Sequence, residues 1–234
     1  MDKVLVVKNL SVTFRSKGGI VYALKDVNFH LEKGEVLAVA GESGSGKSTI
    51  ANALVGLVPW EKGGTYELFG ENINPYKKKS FSAVRSKVQM AFQDPYSSLN
   101  PRCTVLEIVS APLLARRISK SEATAKTKKI LDLVGLSNAD LNKFPHAFSG
   151  GQRQRIGLAR ALVLEPKILI CDEITSALDV SVQAQILHLL DDLQRELNLS
   201  LLFISHDIAV MEIIAKRVMV VRGGEIFSIF TPNL

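Results

Sequence analysis

The chain is organised around the stretch Gly41-Glu42-Ser43-Gly44-Ser45-Gly46-Lys47-Ser48-Thr49. Its spacing is G-x-x-x-x-G-K-[ST], with an apolar run at 36–40 before it and a helical pattern at 50–58 after it. In that setting glycines let successive backbone N–H groups turn toward phosphate oxygens. The helix behind adds the positive end of its dipole. Lys47 then supplies a point charge for the β- and γ-phosphates, and the Ser48 hydroxyl is placed to ligand Mg²⁺. These residue types at this spacing predict a nucleoside triphosphate site.

A second group follows an apolar strand. Lys167-Ile168-Leu169-Ile170-Cys171 ends in Asp172-Glu173. A buried strand delivers its last residues to the carboxyl edge of a sheet, where ligands of such folds bind. Asp172 can hold the Mg²⁺ touched by Ser48. Glu173, one residue on, points elsewhere and suits a general base that orients the attacking water. His206 ends the next apolar strand and is placed for a γ-phosphate contact. Gln93, after the apolar run 88–92, could touch Mg²⁺ or the water. A third group, Phe148-Ser149-Gly150-Gly151-Gln152, opens a helical pattern at 153–164, which is again an anion-binding arrangement at a helix N-terminus.

The positioning elements follow from periodicity. Residues 3–7 and 27–31 read as strands joined past a turn at 16–19, and Val27, Phe29 and Leu31 alternate with polar residues. The run 36–40 lacks alternation, as expected of a central parallel strand buried on both faces. Short strands are expected at 65–69 and 88–92. From 104 to 136 the pattern turns helical, with a capping box at Ser119 and Glu122. Strand and helix then alternate: strands at 168–171 and 201–205, helices at 181–197 and 208–215. A hairpin about Gly223-Gly224 closes the chain.

Composition bounds the rest. The 234 residues suffice for one large α/β domain with a smaller insertion, and 47% hydrophobic with 22% charged residues is ordinary for a globular chain. The net charge of +6 is spread along the sequence rather than gathered in a stripe, so no nucleic-acid partner is expected. Cys103 and Cys171 have no metal-ligand spacing, and a reducing compartment fits them. No apolar run is long enough to span a bilayer, and residues 1–12 lack the layout of a secretory signal. A cytoplasmic chain is expected, reaching a membrane only through a partner.

The order of these motifs resembles the ABC ATPase family along essentially the whole chain. Residues 41–49 look like Walker A, Gln93 the Q-loop, 148–152 the signature motif and 168–173 Walker B. Ser176-Ala177-Leu178-Asp179 looks like the D-loop and His206 the switch histidine. The resemblance implies an α/β P-loop NTPase fold with a largely parallel sheet, an N-terminal antiparallel β-subdomain and an inserted helical subdomain. In domain terms it implies one ABC ATPase domain, 1–234. Residues 1–99 and 148–234 form its RecA-like core and β-subdomain, and 100–147 form the helical part. It also implies ATP with Mg²⁺, and a second cassette, identical or paralogous, pairing head to tail. Ser149, Gly150 and Gly151 would then meet the γ-phosphate across the interface, with Gln152 and Asp179 beside it. Phe14 would stack on adenine, and Tyr22 competes for that role.

Phe92-Gln93-Asp94-Pro95-Tyr96-Ser97-Ser98-Leu99-Asn100-Pro101-Arg102 is similar to the wording of ATPases serving dipeptide, oligopeptide and nickel importers, as is Ser176 to Gln185. Phe148 stands where the signature usually has Leu, and Ile174 where Walker B is usually followed by Pro. This branch implies an ATP-hydrolysing subunit held on the cytoplasmic side of the cell membrane by permeases, with an extracytoplasmic substrate-binding protein as an indirect partner. Nickel import and a non-transport ATPase of a soluble complex, of the phosphonate-breakdown type, are the alternatives.

Overall fold

A computed structural model describes residues 2–16, 19–94 and 98–232. Pro95, Tyr96 and Ser97 of the importer-like wording, and Lys17 and Gly18 of the first turn, lie outside them.

Ten strands are described: β1 Lys3–Ser16, β2 Gly19–Glu32, β3 Val36–Ala40, β4 Thr65–Leu68, β5 Glu71–Ile73, β6 Val88–Ala91, β7 Ile168–Asp172, β8 Ser200–Ile204, β9 Arg217–Arg222 and β10 Glu225–Phe230. Seven α-helices accompany them among the described residues: α1 Lys47–Leu54, α2 Phe81–Lys87, α3 Val105–Ala115, α4 Lys120–Leu133, α5 Gly150–Leu162, α6 Val180–Leu197 and α7 Ile208–Ile214. One sheet is antiparallel, in the order β2-β1-β4-β5. The other runs β10-β9-β3-β8-β7-β6, parallel except where β10 returns along β9. The expected α/β fold, with its N-terminal antiparallel sheet and helical insertion, is the observed one.

The first hairpin is longer than the expected strands 3–7 and 27–31, because pairing continues past points where the period-2 pattern breaks. The register shifts between Val7 and Leu10, and Asn9 and Asp26 take positive φ there. Asn28 Oδ1 accepts from Asn9 N at 2.9 Å, and Ser11 Oγ accepts from Asp26 N at 3.0 Å. Side chains thus fill bonds the ladder loses at each irregularity.

Strands β7 and β8 are buried throughout, and their alternate residues serve two cores. Ile168, Ile170, Leu202 and Ile204 face a core shared with the antiparallel sheet and α1. Leu169, Cys171, Leu201 and Phe203 face one shared with α3 to α6. A five-residue strand with both faces covered has no reason to alternate apolar with polar residues. One stretch of Ile, Leu and Cys therefore holds its terminal acids rigid against two layers.

Several boundaries differ from expectation. Helix α1 begins at Lys47, within the phosphate-loop motif, and ends at Leu54, where Gly56 turns the chain at φ +72°. Helix α5 begins three residues earlier than its apolar pattern, because Ser149 caps it. Helix α2 and strand β5 are additional. Ser119 gives only half of its box, its Oγ accepting from Glu122 N at 3.2 Å, whereas Thr104 and Glu107 form a reciprocal one.

Candidate functional site

Strands β3, β7 and β8 are adjacent and parallel, so the chain leaves all three at one edge of the sheet. The phosphate loop leaves β3, Asp172 and Glu173 leave β7, and His206 follows β8. Asp172 pairs with Ile204, and Glu173 N donates to Ile204 O at 2.9 Å. That bond carries the ladder one residue past the strand while Glu173 turns to φ +47°. The two neighbouring carboxylates are thereby aimed apart.

The loop wraps back toward the sheet. Gly46 is the first cap of α1, at φ +110° with no side-chain cap, which leaves the helix N-terminus to the loop's own amides. Lys47 is only 4% exposed, and its Nζ donates to Gly41 O at 2.8 Å and Glu42 O at 2.9 Å. The same Nζ lies 3.8 Å from Glu173 Oε1. Ser48 Oγ donates to Asp172 Oδ1 at 3.0 Å. Glu173 Oε2 accepts from Gln93 Nε2 at 2.9 Å and lies 3.6 Å from His206 Nδ1. Six side chains from four separate segments thus form two adjoining groups, Ser48 with Asp172, and Lys47, Gln93 and His206 about Glu173. The two are joined through consecutive residues of the chain.

Burial pushes the Asp172 carboxyl above the ordinary aspartate range. The neighbouring Glu173 carboxylate adds to the shift, while the Ser48 hydroxyl and Lys47 oppose it. A carboxyl beside a hydroxyl, both hard oxygen donors, suits a divalent cation. Mg²⁺ takes one or two protein oxygens and completes its shell with water and phosphate, so the residues present fit it. Burial also pushes the Cys171 thiol far up, so it has no thiolate character.

A cavity of about 370 Å³ opens over this network. Its walls include Ser43, Gly44, Gly46, Lys47, Ser48 and Thr49, with Gln93 and Glu173 on one side. Val21, Tyr22 and Ala23 of β2 and the Gly223-Gly224 turn form the opposite side. Neither of those last two groups, Tyr22 excepted, is singled out by the sequence as part of a site, and the only signal was the turn-forming Gly-Gly pair. Phe14 does not line this cavity. It is 45% exposed on β1, directly across from Val21, which does. Glu42 and Ser45 lie behind the loop, facing β9. A larger cavity of about 770 Å³ sits at the other edge of the sheets, among Asp2, Lys33, Lys167 and Ser200, and holds none of these groups.

The third motif is built but lies apart from the cavity. Ser149 caps α5: its Oγ accepts from Gln152 N at 3.3 Å and its N–H donates to Gln152 Oε1 at 3.0 Å. Gly151 is buried against Val182, close enough that a Cβ would collide with that side chain. Asp179 caps α6, accepting on Oδ1 from Ser181 N at 3.1 Å and Val182 N at 3.0 Å. Gly150-Gly151 and the start of α6 therefore form one unit, with Ser149 exposed at its tip.

Similarity to known proteins gives the family. The ABC transporter family matches residues 24–176. The oligopeptide transport ATP-binding protein OppF of Streptococcus mutans is 47% identical over 234 residues, covering 99% of this chain and 76% of that protein. OppF of Escherichia coli is 46% identical over 238 residues, covering 97% and 71%. OppD of Bacillus subtilis is 44% identical over 241 residues, covering 100% and 67%. Among solved structures, the ATP-binding cassette MJ0796, in a dimeric post-hydrolysis state bound to ADP and Pi, superposes with a TM-score of 0.86 at 30% identity, covering 98% of this chain and 99% of that one. CbiO1 of Clostridium perfringens, part of the transporter complex cbiONQ, gives 0.86 at 29% identity, covering 99% and 90%. A family match over most of the sequence, and relatives this similar across nearly all of it, place this chain in the ABC transporter family.

Proposed function

We propose that this chain is the ATP-binding and ATP-hydrolysing subunit that powers a membrane importer of oligopeptides. The observation that carries the chemistry is the joined network of Lys47, Ser48, Asp172 and Glu173 at one sheet edge. The cargo class rests on the relatives, which are oligopeptide transport ATP-binding proteins.

In this reading the amides of the phosphate loop and the Lys47 ammonium hold the phosphates of ATP. Mg²⁺, held by Ser48 and Asp172, with Gln93 a further candidate, supplies charge neutralisation for the β- and γ-phosphates when bound. Lys47 now rests on two loop carbonyls and on Glu173, so an arriving phosphate competes for its protons and frees one oxygen of Glu173. Glu173 then accepts the proton of the attacking water. Gln93 holds its other oxygen by a hydrogen bond, with His206 Nδ1 3.6 Å away, and so orients that base.

The exposed Ser149 tip of α5 is an anion-binding N-terminus with no anion of its own chain to serve. It fits a second cassette, identical or paralogous, whose ATP it covers. The permease contact is assigned to a groove of about 320 Å³ between α1, β6 and α3, lined by Leu57, Met90, Phe92, Pro112 and Ala115 among others. Phe92 is 41% exposed there and precedes Gln93, so whatever presses the groove presses the residue that holds Glu173. No described helix is long and apolar enough to cross a membrane, so attachment falls to the permeases. A substrate-binding protein outside the cell would complete the importer.

The test is purification of the tagged chain from detergent-solubilised host membranes. Two polytopic permeases are expected to come with it, and oligopeptide, presented with the adjacent binding protein, is expected to stimulate ATP hydrolysis by the reconstituted complex. Recovery of soluble partners alone would overturn the transport reading while leaving the ATPase chemistry in place.

A further inference from the structure

The Gly223-Gly224 turn belongs to none of the nucleotide-binding motifs, yet it forms part of the cavity wall. Its bonds run in two directions. Gly224 N donates to Ser45 O at 3.0 Å, in the middle of the phosphate loop, and Gly224 O accepts from Lys25 N at 2.8 Å, on β2. Lys25 Nζ adds an ion pair to Glu225 at 3.4 Å, on the first residue of β10. One residue of the turn thus joins the loop to the opposite wall of the cavity.

The packing at this junction leaves no slack. A Cβ on Gly224 would lie 2.7 Å from Ala23 O, and one on Gly46 would lie 2.8 Å from the same oxygen. The Ala23 carbonyl is wedged between two glycines, one in the phosphate loop and one in the hairpin turn. Both take positive φ, +110° for Gly46 and +83° for Gly224. The wedge fixes how far Val21, Tyr22 and Ala23 stand from Gly44, Gly46 and Lys47, and so fixes the width of the cavity that a nucleotide must enter. Among the described residues the turn's bonds run to Ser45 and Lys25 and not to Asp172, Glu173 or His206, so its influence falls on binding and not on the hydrolytic groups.

We infer that Gly224 is a positioning residue of the nucleotide site: its two backbone bonds and its missing side chain set the spacing between the phosphate loop and β2. The inference rests on the cavity being the nucleotide site. Gly224→Ala must push the Ala23 carbonyl away or twist the turn, which tilts one wall against the other.

Gly70→Ala provides the matched control. Gly70 has nearly the same φ, +77°, and a Cβ there meets nothing within 4 Å. It carries the same backbone strain at the β4–β5 turn, away from the cavity. The measurements are the Kd of the fluorescent analogue mant-ADP, the KM and kcat for ATP, and Tm, for wild type and both variants. Gly224→Ala is expected to raise Kd and KM about tenfold, with kcat within about threefold of wild type and a fall in Tm at least as large as that of Gly70→Ala. Equal nucleotide affinity in the two variants would overturn the assignment, as would a loss confined to kcat. Failure of the wild type to bind mant-ADP would overturn the nucleotide-site reading and this inference with it.

Should Gly224→Ala fail to fold, amide hydrogen exchange on the wild type decides. ADP is expected to slow exchange at Gly224 and at Lys25, which does not itself line the cavity. Unchanged exchange at Lys25 would overturn the inference.

Discussion

Glu173 is held by residues that reach it from three directions. Lys47 approaches one oxygen from α1, Gln93 and His206 approach the other from the ends of β6 and β8, and its own N–H is fixed to Ile204 O. Such support restricts a carboxylate to one orientation before substrate arrives, which is what general-base catalysis requires. Glu173→Gln preserves the shape and an acceptor for Gln93 but cannot take a proton. Turnover is expected to fall on the order of 10²–10⁴-fold, while equilibrium binding of ATP survives, because the phosphate-holding groups stay in place. Steady-state hydrolysis and ATP titration check the two halves, and wild-type turnover in the variant would remove Glu173 from the role of base. At this scale the sequence was most informative. The network residues were legible because each chemical role demands a residue type at a fixed distance from a strand end. Gly224 and Ala23 were not, since they act through backbone atoms whose partners are set by folding alone. The place of Phe14 was likewise invisible, because the register of β1 on β2 shifts at irregularities no pattern announces.

At the scale of elements, helix starts carry much of the organisation. Asp179 receives the Val182 and Ser181 amides and the Ser181 hydroxyl, and α6 then buries Ile186, Leu187, Leu190 and Leu193 along one stripe. The cap also sets Val182 over Gly151 and so couples the starts of α5 and α6. The Val182 amide first, then the Ser181 hydroxyl, hold the Asp179 carboxyl below its ordinary range. A depressed carboxyl stabilises the fold above its unfolded pKa and loses that contribution as pH falls through the folded value. Asp179→Ala is therefore expected to lower Tm by roughly 2–4 °C near neutral pH. The gap to wild type should narrow as the pH drops below about 4. Asp179→Asn, which keeps an acceptor but cannot titrate, should retain most of the stability without that dependence. Thermal melts across pH check this, and a gap that widens in acid would refute the assignment. Caps of this kind are partly readable from sequence. Ser119 marked its helix, whereas β5 and α2 escaped because three-residue and seven-residue stretches carry too little period to register.

For the whole molecule, the question is what keeps the antiparallel sheet fixed against the parallel one while the cavity between β2 and the phosphate loop does its work. Glu35, just before β3, is 1% exposed and receives a bidentate pair from Arg217, the first residue of β9, at 2.5 and 2.9 Å. The second oxygen also accepts Glu32 N at 2.7 Å, and Arg217 Nη2 donates to His30 O on β2 at 2.9 Å. Lys216 adds a pair to Glu32 at 3.1 Å. This cluster ties the end of β2 to the start of β9, the strand that leads into the Gly223-Gly224 turn. In the sequence the same acids sit in Glu32-Lys33-Gly34-Glu35, which reads as a turn, and the partner lies 182 residues away. Long-range pairing of this kind has no local period, so its ion pair was not legible. A buried charge stripped of its partner is costly, whereas an apolar pair of similar volume is not. Glu35→Ala is therefore expected to lower unfolding free energy by about 3–5 kcal/mol, measured by urea denaturation. Combining Glu35→Met with Arg217→Leu should recover only part of it, because Glu32 N and His30 O still lose these partners. If the single change costs less than about 1 kcal/mol, the pair behaves as a solvated surface bridge, and the two sheets must be joined by their apolar core alone.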